Sequence, residues 1–258
     1  GLNQAVAIHR AGGDVTFQFA VGDDDDGKFL TNFLEDQNLV FSRILDTGTP
    51  TSKAFILVDQ EGENQIAVVP GANYSPKLKE QSFQDGPGLL VLQLEIGNEN
   101  NLVVAALAKK AGWKVVLTPA PSSEFDSKLL EFIDIITLNE TEVTQIAGGT
   151  DFESAGAALS KSVGLVFVTQ GAQGVSVFAD GQLLGHIDAM AVDSIDATGA
   201  GDTFCGYVVA GLAQGLTPLE AAELGTVAAG TSAQSRGASN SIPLRQEVDL
   251  LMLKSRKN

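Results

Sequence analysis

The strongest constraint on the fold is the regular alternation of apolar strands with amphipathic helices along the chain. The segments 88–94 and 165–169 are short, nearly continuous apolar runs, and such runs are typical of strands that are buried on both faces. Helix-spaced patterns lie between the strand segments. This order predicts an α/β fold, a doubly wound and mostly parallel sheet sandwiched by helices.

The predicted elements cover most of the chain. Strands are predicted at 15–21, 40–45, 88–94, 114–118, 134–139 and 165–169, and helices at 2–13, 27–37, 99–112, 122–133, 201–214, 217–234 and 244–254. Two hairpins break the alternation, with strands at 54–58 and 65–69 and at 175–180 and 182–187. We interpret 1–258 as one domain, into which the segment 49–71 inserts as a lid.

Composition excludes several classes of partner. The chain has 32 Asp and Glu residues against 16 Lys and Arg, a formal net charge of −16, which disfavours nucleic acids and anionic membranes. No apolar run approaches the ~18 residues of a membrane span, and no signal peptide is visible. Cys205 is the only cysteine, so an internal disulfide is excluded. These features predict a cytoplasmic protein.

The acidic segment 22–28, GDDDDGK, has the spacing of a phosphate-binding P-loop but not its chemistry. Phe29 stands where the motif needs a hydroxyl for Mg²⁺, and four carboxylates would repel a triphosphate. A calcium-binding EF-hand would need Glu at Phe33. We interpret the segment as a loop whose acidic residues lie near a helix N-terminus.

The segment DATGAGDTF at 196–204 carries the clearest chemical signal. Gly199 and Gly201 allow a tight turn, and the amides of Gly199, Ala200 and Gly201 are predicted to converge at a helix N-terminus as an anion site. Asp202 at the same terminus can take a proton from a hydroxyl while the amides hold phosphoryl oxygens. The alternative is an aspartate that only caps the helix.

This segment resembles the D-T-x-G-A-G-D signature of the ribokinase-like (PfkB) carbohydrate kinases, and the resemblance covers the whole chain. Further motifs follow in family order: GLNQAVA at 1–7, PGAN at 70–73, LQLE at 92–95, TPAP at 118–121, LNETE at 138–142, VTQGAQG at 168–174 and SRGASNSIP at 235–243. The resemblance implies a β lid and ATP-dependent phosphorylation of a primary sugar hydroxyl, with D-ribose favoured. Fructose, 2-keto-3-deoxygluconate, a nucleoside, or a non-catalytic binding role remain open.

The resemblance also implies a role for each matching residue. Asp202 becomes the general base beside the anion hole of Gly199, Ala200 and Gly201. The sugar-binding residues are Asn3, Glu95 and Asp202, and the nucleotide-binding residues are Asn139, Thr169, Gly171, Gly174 and Gly201. Asn139 and Glu142 lie near Mg²⁺. A K⁺ site is formed by Asp196, Thr198, Ser232, Gly237 and Ser241.

Each of these residues also has a purely structural alternative. Asn139 can act only as a helix N-cap, Asn3 can lie on a helix surface, Glu95 can be a solvated loop residue, and Thr169 can simply end a strand.

The chain departs from the family pattern at three places. The family's first strand and its Gly-Gly-Lys sequence have no counterpart, so we expect sequence upstream of Gly1. Thr118 stands where Asn is usual, and Gly225 where His or Asn often lies beside adenine. The lid hairpin would then expose a strand edge, which predicts a homodimer through the lid.

Overall fold

The main sheet of the computed structural model has six strands in the order β10-β9-β8-β7-β6-β5. The structure describes residues 1–58, 64–75, 83 and 86–255. The strands are β5 (Leu89–Gln93), β6 (Lys114–Thr118), β7 (Ile135–Asn139), β8 (Leu165–Thr169), β9 (Val175–Ala179) and β10 (Gln182–Ile187). Strands β5 to β8 are parallel, and β9 and β10 complete the sheet as antiparallel strands.

Four further strands form two small sheets. Strands β1 (Thr16–Gly22) and β2 (Val40–Asp46) pair in parallel, and β3 (Lys53–Val58) and β4 (Asn64–Val69) form the predicted antiparallel lid hairpin. Residues 59–63, between β3 and β4, lie outside the described residues. The division into one domain with an inserted lid stays a prediction.

The helices are α1 (Leu2–Arg10), α2 (Asp25–Asp36), α3 (Asn98–Lys110), α4 (Glu140–Ala147), α5 (Phe152–Val163), α6 (Ala200–Ala213), α7 (Pro218–Ser232) and α8 (Arg245–Ser255). In the part of the chain that the structure describes, none of these helices is both long and apolar enough to cross a bilayer.

Successive residues of the central strands face two separate apolar cores. Ile135 and Phe167 join the core formed with α1, α6 and α7, whereas Ile136 and Val166 join the core formed with α3, α4 and α5. This alternation is the period-2 geometry of a strand that is covered on both sides. The predicted sheet sandwiched by helices is therefore confirmed.

The prediction of a helix at 122–133 is wrong. Two short 3₁₀ helices, Ser122–Glu124 and Ser127–Glu131, take its place. Phe125 and Asp126 between them have extended backbones, and the Asp126 side chain accepts a hydrogen bond from the Lys128 amide, which starts a new turn.

Helices α4 and α5 are absent from the predicted elements, although the N-cap alternative for Asn139 implies that a helix starts after it. The other predicted elements are present, with boundaries shifted by at most three residues.

The acidic segment 22–28 lies at the start of α2, as predicted, but only its first residues form a loop: Asp24 is the N-cap, and residues 25–28 belong to the helix. Asp24 Oδ1 accepts hydrogen bonds from the Gly27 amide at 2.8 Å and the Thr51 hydroxyl at 2.6 Å, and Oδ2 accepts one from the Thr51 amide at 2.8 Å. These bonds, that of the Thr51 hydroxyl foremost, lower the pKa of Asp24 to about 2.

Replacing Asp24 by alanine should lower the melting temperature at pH 7 by roughly 2–4 °C, because the cap and its contact with Thr51 are lost. A carboxyl with a depressed folded-state pKa stabilises the fold fully above its unfolded pKa near 4, and this contribution is lost as the pH falls toward 2. Circular dichroism melts should therefore show the difference from the wild type shrinking between about pH 4 and pH 2. The exposed Asp23→Ala variant is the control, and a difference that stays constant with pH would contradict the assignment.

Candidate active site

The carboxyl ends of the parallel strands bring polar side chains to one edge of the sheet. Strand register places Gln93 beside Thr118, and Asn139 beside Thr169. Ligands of α/β sheets bind at this edge. The Thr118 hydroxyl also lies 3.4 Å from the sulfur of Cys205 in α6. The N-terminal half of α6 therefore packs against the edge where a ligand is expected.

The turn before α6 leaves open space at the start of the helix. Gly199 caps the helix in the left-handed region at φ +76°, and a Cβ there would lie 3.1 Å from Ala238 Cβ. A Cβ at Gly201 would meet nothing within 4 Å. The first N–H groups of a helix have no partner within it, although the Ala200 amide donates to the Ala197 carbonyl at 3.1 Å. The open face at Gly201 suits an approaching anion.

Asp202, in the first turn of α6, receives two amide hydrogen bonds from α1. Asn3 Nδ2 donates to Asp202 Oδ2 at 2.9 Å, and Gln4 Nε2 donates to Asp202 Oδ1 at 2.9 Å. Gln93 Nε2 in turn donates to Gln4 Oε1 at 2.6 Å. The structure thus joins Asn3 to Asp202, and Asn3 does not lie on a bare helix surface.

Gln4 and Gln93 are the site residues that sequence reasoning missed. A signal for Gln4 was available, because it precedes Ile8 by four residues and Ala11 by seven, on the apolar face of α1. A polar residue on that face needs a buried partner. Gln93 stands in the LQLE segment at 92–95, but no pattern in the sequence indicates that its side chain meets Gln4.

Glu95 lies at the other side of the α1 N-terminus. It belongs to the 3₁₀ helix Leu94–Ile96 that follows β5, and its Oε2 lies 2.8 Å from the backbone nitrogen of Gly1. The residues predicted to bind the sugar, Asn3, Glu95 and Asp202, are therefore grouped around the first turn of α1.

Asn139 and Glu142 form a capping box at the start of α4. Asn139 Oδ1 accepts a hydrogen bond from the Glu142 amide, and Glu142 Oε2 accepts one from the Asn139 amide, both at 2.9 Å. Burial raises the pKa of the Glu142 carboxyl. Asn139 therefore acts as a helix N-cap, which was its structural alternative. The roles of Asn139 and Glu142 toward the nucleotide and Mg²⁺ stay predictions.

The loop after β8 uses its two glycines differently. Gly174, at φ +108°, lies so close to β10 and the following residues that a Cβ would overlap the Ile187 carbonyl and lie 2.7 Å from the Ala189 amide. Gly171, at φ +55°, has open space where a Cβ would stand. Thr169 Oγ1 donates to the Leu138 carbonyl at 3.3 Å. The loop can therefore receive a ligand at Gly171, while Gly174 serves close packing.

Asp196 joins two of the segments that were predicted to hold K⁺. Its Oδ1 accepts a hydrogen bond from the Thr198 amide and its Oδ2 one from the Gly237 amide, both at 2.9 Å. The bond from Gly237, followed by those from Thr198, lowers the pKa of Asp196 to about 2. The hydroxyls of Ser232 and Ser241 donate to carbonyls of their own segments, at 2.8 and 2.9 Å.

The family model described as pfkB family carbohydrate kinase matches residues 1–245. The chain belongs to the PfkB family. Ribokinase from Haemophilus influenzae is 38% identical over 259 residues, which cover 96% of this chain and 84% of that protein. Ribokinase from Staphylococcus aureus is 34% identical, and the match covers 96% of this chain and 86% of that protein.

Solved structures agree with this family membership. A structure of Arabidopsis thaliana ribokinase complexed with ribose and ATP matches with a TM-score of 0.83 and 30% identity, over 98% of this chain and 86% of that one. Ribokinase from Giardia lamblia matches with a TM-score of 0.87 and 28% identity, over 98% of this chain and 88% of that one. This PfkB member is therefore an ATP-dependent carbohydrate kinase.

The glycine at 225, a departure from the PfkB pattern, has a packing explanation. A Cβ at Gly225 would lie 2.8 Å from Val208 Cγ2 and 2.9 Å from Phe204 Cδ2, both on α6. Glycine at this position lets α7 pack closely on α6. The other departure, Thr118, forms a hydrogen bond between its hydroxyl and that of Thr137 at 2.8 Å. Thr137 lies two residues before Asn139 on β7.

Proposed function

We propose that this kinase transfers the γ-phosphoryl group of ATP to O5 of D-ribose. The observation that carries the proposal is the pair of hydrogen bonds from α1 to Asp202, because it places a carboxylate, the predicted sugar ligand Asn3 and the helix α6 N-terminus together. The ribokinases of 38% and 34% identity support ribose as the sugar.

Asp202 is the proposed general base. Its carboxylate takes the proton of the sugar hydroxyl, and the hydroxyl oxygen forms a bond to the γ-phosphorus. The bond from that phosphorus to the oxygen that bridges the β- and γ-phosphates breaks, and ADP leaves. The amides of Gly199 and Gly201 would hold the oxygens of the transferring group, so that charge develops against fixed donors. The amide of Ala200, the third predicted member of the anion hole, already donates to the Ala197 carbonyl.

Asn139 and Glu142 are the residues that would order Mg²⁺ and the phosphates, with an indirect role toward the ion. Carboxylate and amide oxygens suit a hard cation, and the capping box fixes both side chains at the end of β7, one strand away from Thr169. Mg²⁺ supplies charge neutralisation to the phosphate oxygens. Gly171 and Thr169 would lie against the nucleotide, because the open space at Gly171 leaves room there.

We propose that K⁺ binds beside Asp196, together with oxygen atoms of Thr198, Ser232, Gly237 and Ser241. Asp196 stays ionised because of its depressed pKa, and carboxylate, hydroxyl and carbonyl oxygens are ligands for a hard cation. Ala238 follows Gly237 in this loop and lies only 3.1 Å from where a Cβ of Gly199 would stand, so a cation bound in the loop can act on the anion hole.

Replacing K⁺ by Na⁺ at constant ionic strength should therefore lower kcat severalfold, because the loop that supports the anion hole loses its preferred ion. The measurement is initial-rate ADP release with Mg·ATP at saturating sugar. Equal rates in the two salts would remove the cation-site assignment and leave the base assignment standing.

We propose that two chains pair through the lid hairpin of β3 and β4. Phe55 and Val68, on opposite faces of this ribbon, are 56% and 63% exposed. Among the described strands, β3 and β4 pair only with each other, so their outer edges can accept further strands. Light scattering should give a dimer at micromolar concentration, and a monomer would overturn this assembly.

We also propose that the protein acts in the cytoplasm on small molecules, without a nucleic-acid or membrane partner. Cys205 is buried and free, which suits a reducing compartment. The net charge of −16 disfavours polyanionic partners.

The first experiment is ADP release with Mg·ATP and K⁺ across a panel of D-ribose, fructose, 2-keto-3-deoxygluconate and nucleosides. We expect the highest kcat/KM for D-ribose. A preference for another substrate would keep the mechanism and replace the sugar. No ADP release with any of them would favour a non-catalytic binding protein.

A further inference from the structure

Gln4 is a buried amide that contacts the proposed base but has no assigned role. Its side chain is 1% exposed, and it connects Asp202 Oδ1 to Gln93 Nε2 through bonds of 2.9 and 2.6 Å. The backbone carbonyl of Gln93 accepts a hydrogen bond from Asn101 Nδ2 at 2.8 Å. A chain of side-chain hydrogen bonds therefore runs from Gln93 in β5 through Gln4 in α1 to Asp202, and α3 holds the backbone of β5 at Gln93.

The charge of Asp202 sets the direction of this chain. An ionised carboxylate only accepts hydrogen bonds, so Gln4 has to present its NH₂ group to Asp202 and its oxygen to Gln93. Gln93 must then present its own NH₂ group to Gln4. Side-chain amides do not titrate, so this donation to Oδ1 persists over the working pH range. Breaking either hydrogen bond of Gln4 would leave a buried amide group without a partner, which costs free energy. This cost favours the arrangement in which both bonds are formed.

Asn3 donates to the other oxygen of Asp202, Oδ2, and is more exposed than Gln4. It is partly exposed and is the proposed sugar ligand, so its bond to Oδ2 can be exchanged for a bond to the sugar. Gln4 is enclosed and has no such exchange partner. The two carboxylate oxygens therefore differ, one being held by a buried chain and the other facing the predicted sugar site.

We infer that Gln4 and Gln93 are positioning residues for the base, which hold Oδ1 of Asp202 so that Oδ2 accepts the proton of the sugar hydroxyl. The inference rests on the proposed function, in which Asp202 is the base. When the sugar binds, Asn3 releases Oδ2 and the hydroxyl replaces it. The O–H bond then breaks toward Oδ2, and the hydroxyl oxygen attacks the γ-phosphorus.

A double-mutant cycle tests this inference through a readout that a merely structural role would not move. Gln4→Met keeps the length of the side chain and removes the donor. We expect it to lower kcat about tenfold or more with little change in the KM for ATP, because a displaced base loses its reactive geometry. In the Asp202→Asn background, Gln4→Met should change kcat less than twofold, since no base remains to be positioned.

The outcomes separate this inference from the proposed function. An equal loss of kcat in both backgrounds, or no loss from Gln4→Met alone, would overturn the positioning role while Asp202 remains the base. Wild-type kcat in Asp202→Asn alone would instead overturn the proposed base. ADP release is measured with the sugar preferred in the panel, on variants whose melting temperatures are known.

Gln93→Leu keeps the inference testable if Gln4→Met does not fold. It leaves Gln4 in contact with Asp202 and removes the second link, so we expect a severalfold loss of kcat that disappears in the Asp202→Asn background. Ser160→Ala is the matched control. It removes a buried hydroxyl, away from the site, that accepts a hydrogen bond from the Gly181 amide at 2.9 Å. Its kcat should equal that of the wild type.

Discussion

Asp202→Asn should lower kcat by at least about a hundredfold, as expected for the loss of a general base. The substitution keeps the volume of the side chain and one acceptor oxygen, so the Gln4 amide retains its partner. Asn3 can turn its own amide to meet the new NH₂ group. The fold should therefore survive, and the loss should lie in kcat and not in the melting temperature.

The measurement is ADP release with Mg·ATP, K⁺ and the preferred sugar, alongside thermal melts of both proteins. Asp36→Asn, at the exposed end of α2, is the control for removing one negative charge from a chain of net charge −16. Turnover near that of the wild type in Asp202→Asn would show that no proton passes through this carboxylate.

Local spacing explains which parts of the site could be predicted from the sequence. The left-handed turn at Gly199 and the capping box of Asn139 and Glu142 depend on residues within four positions of each other. The alternation of apolar strands and helices likewise predicts the covered sheet. In these cases the interactions are short in sequence, and the residue types alone determine them.

The missed features depend on interactions that spacing does not encode. Gln93 meets Gln4 from 89 positions away, which requires α1, β5 and α6 to be packed first. At 122–133 an apolar periodicity predicts a helix, but the Asp126 side chain bonds to the backbone and divides the segment. Gly225 is explained by the approach of α7 to α6, which is again a tertiary contact.

Gly206→Ala should lower both the melting temperature and kcat, although alanine usually favours a helix over glycine by about 1 kcal/mol. Gly206 lies where α6 crosses α1, and a Cβ there would overlap the Cβ of Ala7 and lie 2.9 Å from the Ile8 nitrogen and 3.0 Å from the Gln4 carbonyl. Backbone atoms cannot give way as a flexible side chain can. Overpacking of this kind costs about 1–3 kcal/mol, so we expect the melting temperature to fall by roughly 2–12 °C.

The loss of kcat follows because α1 carries the two amides that hold Asp202. A shift of α1 by about 1 Å displaces Asn3 and Gln4 from the carboxylate, and misplacement on this scale costs up to about a hundredfold in rate. We therefore expect a drop of tenfold or more at a temperature where the variant is folded, measured by ADP release.

Gly230→Ala in α7 is the matched control for adding a methyl group to a helical glycine. Its Cβ would lie 3.2 Å from Met190 Cβ and 3.3 Å from Met190 Cε, contacts that a shift of a few tenths of an ångström relieves, so its melting temperature and kcat should change little. Combining Gly206→Ala with Ala7→Gly removes the overlapping methyl group of α1 and should restore part of kcat. If Gly206→Ala alone is as stable and as active as the wild type, then close contact between α1 and α6 does not position the base.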